Sequence, residues 1–216
     1  MTTLVTTEHG LDLDESFAEP AAEDVLQDTA EALRARGHTV LVVDDLAAAK
    51  AAVLDLLPPD RNVFTMSSVT LQATGLEEEI NTSGRYDAIR PRIYAMDFPA
   101  QQDDIRRLGA AADVVIGSVH AVTADGTMVT TSSTGSQLAL YAFGAGHVIH
   151  VVGAQKLVPD LETAMRRLRL YSWPLEDVRF RREHGRPSTI GKTLITEREV
   201  TPGRSNVVLV RTAAGY

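Results

Sequence analysis

The stretch from Asp113 to Asp160, DVVIGSVHAVTADGTMVTTSSTGSQLALYAFGAGHVIHVVGAQKLVPD, decides the fold class. It reads as a buried strand (ADVVIGS), a hairpin around Asp125-Gly126, a Gly/Ser/Thr loop, a helix over Ser136 to Phe143, a second buried strand (HVIHVV) and a lone lysine, Lys156. The two apolar runs are expected together at one edge of a sheet. Each ends in residues that can bind an anion or polarise a carbonyl, and loops at the carboxyl ends of parallel strands are where open α/β folds hold ligands. A hydroxyl-rich turn entering a helix adds backbone N–H groups and the positive end of the helix dipole.

The same alternation extends outward. Ala22, Val25, Leu26, Thr29 and Leu33 have helical spacing, with Gly37 as the stop, and HTVLVV (His38 to Val43) is a short buried strand. Asp45 caps a helix from Leu46 to Leu57 that Pro58 and Pro59 end, NVFTM (Asn62 to Met66) is a strand, and SSVTLQATGLEEEI runs into a helix. NTSGRYDAIRPRIYAM is predicted to be irregular, with Gly84 and Pro91 blocking a long helix; Pro99 to Ala111 and Asp160 to Leu170 are helical. TLITERE and NVVLVR form two strands joined across TPGRS. Strands separated by helices predict an α/β fold: a mainly parallel sheet with right-handed crossovers, helices on both faces and a C-terminal β-hairpin. That hairpin fits a sheet edge, a small lobe, or exchange within a homo-oligomer. Residues 1–19, polar and acidic, are expected to be a flexible arm, and residues 20–216 one domain.

Composition narrows the function. The 216 residues are 44% hydrophobic and 23% charged, as in a soluble globular protein. The net charge of −8 argues against nucleic acid or anionic membranes as partners, because phosphate contacts need a basic face. There is no cysteine, which removes disulfides, thiolate nucleophiles and cysteine-ligated iron–sulfur clusters together. The first residues lack the basic start and apolar core of a signal peptide, and no apolar run reaches the roughly 18 residues of a membrane helix. A cytoplasmic location is expected.

Three polar concentrations could make a site. Ser67, Ser68 and Thr70 follow a strand and open a helix; they fit either an anion cradle or plain N-capping. The loop Ser132-Ser133-Thr134-Gly135-Ser136-Gln137 offers a second cradle, in which Gly135 permits close backbone approach and Thr134, Ser136 and Gln137 supply polar groups. Ser118 and His120 would share one face at a strand end, so His120 could be a general base or bond a substrate oxygen, and a Ser–His nucleophile pair is a weaker alternative. Lys156, one of three lysines, follows a buried strand where it can meet an anion. Arg85 and Arg90 could clamp a carboxylate, or pair with Asp87 or the Glu77-Glu78-Glu79 run. His147 and His150 fall on opposite faces of their strand, and no spacing suggests a metal or another cofactor. The basic stretch RRLRLYSWPLEDVRFRREHGRP suggests a partner surface.

Together SSVTLQATGL, SGRYDAIR, the Asp113 to Asp160 block and the closing PSTIGKTLITEREVTPGRSNVVLVR resemble the LUD domain of lactate-utilisation protein C and related short proteins, from about Pro20 onward. The resemblance implies a fold similar to the superfamily of ribose-5-phosphate isomerase, glucosamine-6-phosphate deaminase and CoA transferase. In that group the loop matching Ser67 to Thr70 often binds substrate phosphate, and a lysine would correspond to Lys156. The complete catalytic signatures of the isomerases and deaminases are missing, and no glutamate matches the CoA-transferase nucleophile. The resemblance thus implies a part in L-lactate utilisation as the binder of a small anionic ligand and a partner of iron–sulfur subunits, with His120 and Lys156 supplying proton transfer or charge stabilisation. An autonomous isomerase or acyl transferase on phosphorylated or CoA-linked substrates is the alternative, as is a non-catalytic assembly subunit.

Overall fold

A computed structural model describes residues 4–98 and 100–216. Two short strands, β1 (Val5–Thr6) and β2 (Asp12–Leu13), pair antiparallel near the N-terminus. Within the expected arm Asp14 is buried and donates its N–H to Leu170 O at 2.7 Å. Then come β3 (Thr39–Val43), β4 (Asn62–Thr65), β5 (Asp87–Ala88), β6 (Val114–Gly117), β7 (Ala121–Thr123), β8 (Met128–Ser132), β9 (His147–Gly153), β10 (Leu157–Val158), β11 (Lys192–Thr196) and β12 (Ser205–Val210). The helices are α1 (Glu23–Ala35), α2 (Leu46–Asp55), α3 (Val69–Ala73), α4 (Leu76–Thr82), α5 (Ile89–Tyr94), α6 (Gln102–Ala110), α7 (Ser136–Ala139), α8 (Leu161–Arg167) and α9 (Trp173–His184). The start of the expected helix at Pro99 lies outside the described residues.

Six strands form an all-parallel sheet in the order β3-β12-β9-β6-β4-β5. Alternation along each strand sends side chains to two covered faces. Val40, Val152, Val207 and Leu209 pack with Leu26, Ala30 and Leu33 of α1. Val114, Ile116, Ile149, Val151, Val208 and Val210 pack on the other side with Ala49, Val53, Leu71, Leu76 and Ile80 from α2, α3 and α4. The predicted layering is therefore present. The apolar strands β6 and β9, expected at an edge, lie side by side in the middle of the sheet.

The C-terminal hairpin does not form. β11 pairs antiparallel with β8 in a second sheet ordered β10-β7-β8-β11, whereas β12 runs parallel between β3 and β9. The reason is burial: Val207, Val208, Leu209 and Val210 are all fully buried, so β12 needs apolar cover on both faces, which a surface hairpin cannot offer. The hairpin at Asp125-Gly126 is present, with Ala121 opposite Val129. Pro91 does not break structure but sits in the first turn of α5, where its missing N–H has no helical partner to lose. Gly75, in the left-handed conformation (φ 68°), splits the helix expected after Ser67 into α3 and α4.

A buried histidine makes the sheet acid-sensitive. His150 on β9 is 4% exposed, lies edge-on to the Tyr141 ring at 4.7 Å, and has no partner for Nδ1. Burial pushes its pKa down to about 3, with His38 and Arg204 adding repulsion. Between the ordinary value of 6.5 and about 3 the unfolded chain binds the extra proton and the folded chain does not. Stability from this group is full above that ordinary value and is lost as pH falls through the window, roughly 2 kcal/mol by about pH 5. In urea unfolding, His150→Leu is expected to flatten the decline in stability between about pH 7 and pH 5 relative to the parent. Parallel profiles would refute it.

Candidate functional site

Because the sheet is parallel, its strand ends converge on one rim, and a cavity of about 470 Å³ lies there. Met66 to Thr70 enter it after β4, Ser118 to His120 after β6, Lys156 after β9 and Tyr216 after β12. Trp173, Glu176, Arg179 and Phe180 of α9 form a side wall. Gly117 is where β6 turns out of the sheet, and a Cβ there would stand 1.7 Å from the Tyr141 hydroxyl. That hydroxyl is buried with no hydrogen-bond partner, and burial raises its pKa.

Lys156 is 1% exposed, in the short helical turn Ala154–Lys156. Its Nζ donates to Thr70 Oγ1 and to Ser118 Oγ, both at 2.9 Å. Each hydroxyl directs its own proton to a carbonyl: Thr70 to Ala214 at 2.9 Å, Ser118 to Val151 at 2.6 Å. No carboxylate pairs with Lys156 among the ion pairs of the described residues. Burial holds its pKa well below the usual lysine range, and the Arg167 charge adds to that.

His120 is half-buried, and its Nδ1 accepts the Thr131 N–H at 3.1 Å. An acceptor Nδ1 places the ring proton on Nε2. Burial, then Lys156 and Arg167, push its pKa down to about 3. The ring is therefore a neutral Nε2–H donor, and its basic nitrogen is already used. The Ser118–His120 nucleophile pair does not form, because Ser118 Oγ is engaged by Val151 O and Lys156.

The other sequence candidates divide. Ser67, Ser68, Thr70, Thr134, Ser136 and Gln137 line the cavity. Ser68 occupies the N-cap position of α3 without a side-chain capping bond, so the plain capping role is unfilled. Gly135, in the left-handed conformation (φ 90°), gives its N–H to Ser132 Oγ at 3.0 Å and does not line the cavity. Arg85 and Arg90 do not form a clamp. Arg85 lies on the surface against Glu79, whereas Arg90 is buried, donates to Thr65 O, and reaches Tyr94 Oη at 2.6 Å. An extended strand-to-helix turn separates their directions, so five residues of spacing did not bring them together.

Several contributors lay outside the sequence expectations. Arg167 is fully buried and donates to Gln155 O at 3.1 Å, to His120 O, and to Ser172 Oγ at 3.0 Å. Its Nη2 has no partner, and burial brings its pKa down to about 10. The available signal was helical spacing, since Arg167 falls on the same face as buried Ala164 and Tyr171. Arg179 grips Glu176 through two nitrogens, and Tyr216 Oη donates to Glu176 Oε2 at 2.6 Å. Part of the basic stretch expected to form a partner surface thus lines the cavity instead. Among its lining side chains Arg179 is paired with the one carboxylate, Glu176, and reaches Glu183 as well, which leaves Arg90 and Arg186 as arginines without an ion pair to a described carboxylate. Among the described residues no group of three or more His, Asp or Glu side chains could hold a metal ion, and no helix is long and apolar enough to cross a membrane.

A sequence profile of the LUD domain matches residues 26–210. The chain belongs to the LUD-domain family. The fold of this LUD domain is similar to the crystal structure of a DUF162 family protein from Deinococcus radiodurans, with 18% sequence identity and a TM-score of 0.54, covering 88% of this chain and 99% of that one. That likeness speaks to fold alone. No curated protein matches this LUD-domain chain.

Two outcomes follow from the geometry of this LUD-domain cavity. Nitrogen-detected NMR of the histidine rings is expected to find His120 neutral, with its proton on Nε2, from about pH 8 to about pH 5; a midpoint near the free-histidine value would contradict the Thr131 bond. Gly117→Ala is expected to destabilise the fold by about 1–3 kcal/mol through overpacking. Denaturant unfolding should recover part of that loss in the Gly117→Ala/Tyr141→Phe double variant, and strict additivity would remove the hydroxyl as the cause.

Proposed function

We propose that the protein serves L-lactate utilisation by binding a small anionic ligand in the strand-end cavity, as a partner of iron–sulfur subunits. The observation carrying this reading is the cavity's charge: Arg90 and Arg186, without carboxylate partners among the described residues, beside an Arg179–Glu176 pair, in a chain of net charge −8. A basic hollow in an acidic protein concentrates an anion locally while the surface repels others. Membership of the LUD-domain family supports the link to lactate utilisation. The sequence contains no cysteine and so supplies no thiolate ligand for a cluster, which is consistent with iron–sulfur clusters on partner subunits in this reading.

Within the cavity, Arg90 retains free N–H groups beyond those given to Thr65 and Tyr94, and Arg186 forms no ion pair with a described carboxylate. Ser67, Ser68, Ser136 and Thr134 add hydroxyls, and His120, which lines the same cavity, offers its Nε2–H to an oxygen of the ligand. Acyl transfer through a carboxylate is disfavoured because Glu176 is held by Arg179 and Tyr216.

Titration calorimetry with lactate, pyruvate, ribose 5-phosphate and acetyl-CoA tests the reading. Binding to at least one is expected, weakened about tenfold in Arg186→Ala, the worth of one charge-assisted hydrogen bond. A folded sample giving no heat with any of the four would sink it.

A further inference from the structure

We propose that Lys156 is a carbonyl-trapping amine: its Nζ adds to the carbonyl carbon of an acid-bearing aldehyde or ketone held in the cavity and forms an imine. The inference rests on the reading of the cavity as an anion site and goes beyond it by assigning a covalent step to one atom.

The geometry carries the proposal. Thr70 Oγ1 and Ser118 Oγ each accept an Nζ–H at 2.9 Å. Both hydroxyl protons are committed to main-chain carbonyls, of Ala214 and Val151, so neither can be donated to the nitrogen. The longer contact between the two hydroxyls, 3.4 Å, does not change this, because Thr70 has a better acceptor in Ala214 at 2.9 Å. With Cε and two N–H bonds placed, the fourth valence of a tetrahedral nitrogen points away from both hydroxyls. A lone pair there meets no donor from its two neighbours. An ordinary structural lysine is buried against a carboxylate, yet none pairs with this one, and the nearby cation Arg167 has a nitrogen of its own without a partner. Burial and that charge both favour the free amine, the form that is nucleophilic.

The step balances without a co-reactant. The Nζ lone pair forms the C–N bond while the carbonyl π pair moves to oxygen. The two Nζ protons end on that oxygen, which leaves as water, and a C=N bond remains. His120 lines the same cavity and has Nε2–H as its free donor, the group assigned to polarise the departing oxygen, and the near-complete burial of Lys156 limits the water that would reverse the step. The arginines hold the ligand's acid group, which suits a 2-oxo acid or a phosphorylated aldehyde.

The test uses the full chain, incubated separately with pyruvate and with glyceraldehyde 3-phosphate, reduced with borohydride, and examined by intact mass and peptide mapping. The expected result is one reduced adduct per chain, located on Lys156, with the productive probe identifying the acid group as carboxylate or phosphate. Lactate, which has no aldehyde or ketone carbonyl, should form no adduct and should slow trapping of the productive probe. Lys50→Arg/Lys192→Arg, which leaves Lys156 as the sole ε-amine, should keep the adduct, and Lys156→Arg should lose it. Mapping of the unaltered protein keeps the test decisive if Lys156→Arg fails to fold. Calorimetric binding of a probe with no adduct on Lys156, or adducts confined to Lys50, Lys192 or the N-terminal amine, would overturn the imine and leave the anion site standing. Neither heat nor adduct with any probe would overturn both.

Discussion

The hydrogen bonds from Lys156 Nζ to Thr70 and Ser118 join residues that follow three different strands, and the cavity depends on them. Each hydroxyl passes the connection onward, Thr70 to the chain after β12 and Ser118 to β9 itself. Gln155 reinforces it from the neighbouring position: its Oε1 accepts the Ala214 N–H, and its Nε2 donates to Gly215 O at 2.8 Å. A buried polar group left without partners costs on the order of 1–3 kcal/mol. Here the groups satisfy one another, so removing any one strands the others.

Around this centre the charge is arranged with little cancellation. Arg90 and Arg167 are buried against carbonyl oxygens and aromatic rings instead of carboxylates. A carbonyl oxygen stabilises a guanidinium through its dipole without neutralising the charge, so the field persists into the cavity. Neutral His120 and the unprotonated amine favoured at Lys156 follow from the same surroundings, since burial and neighbouring cations oppose protonation at both. Arginine keeps its charge under burial, whereas the same surroundings lower the pKa of the lysine.

The layered α/β architecture was legible because apolar runs, helix caps and breakers are local signals. Asp45 does cap α2, accepting from Ala48 N at 2.8 Å, and the Asp125-Gly126 turn does make a hairpin. Sheet order was not legible. The TPGRS turn looks like a hairpin connection, but a turn does not specify which strands its flanks will join; the cue against it was NVVLVR itself, apolar at successive positions as a covered parallel strand must be. At the site, strand-end position located Lys156, Thr70, Ser118 and His120. It could not reveal that the His120 basic nitrogen is occupied by Thr131, eleven residues away on β8. Tyr216 and Arg179 escaped for a similar reason, since tertiary packing alone brings a C-terminal tyrosine to a helix carboxylate.

The place of β12 also bears on how this protein is made. Residues 205–210 supply the strand that joins β3 to the rest of the sheet, so β3 and α1 leave the ribosome early and wait through most of the chain's synthesis without their partner. Meanwhile β3 and β9 each present an open edge, the kind of surface on which nascent chains mispair. The order of translation and the order of assembly cannot coincide, and the same late segment leads directly into the residues that brace Thr70. The cavity is completed only when the sheet is.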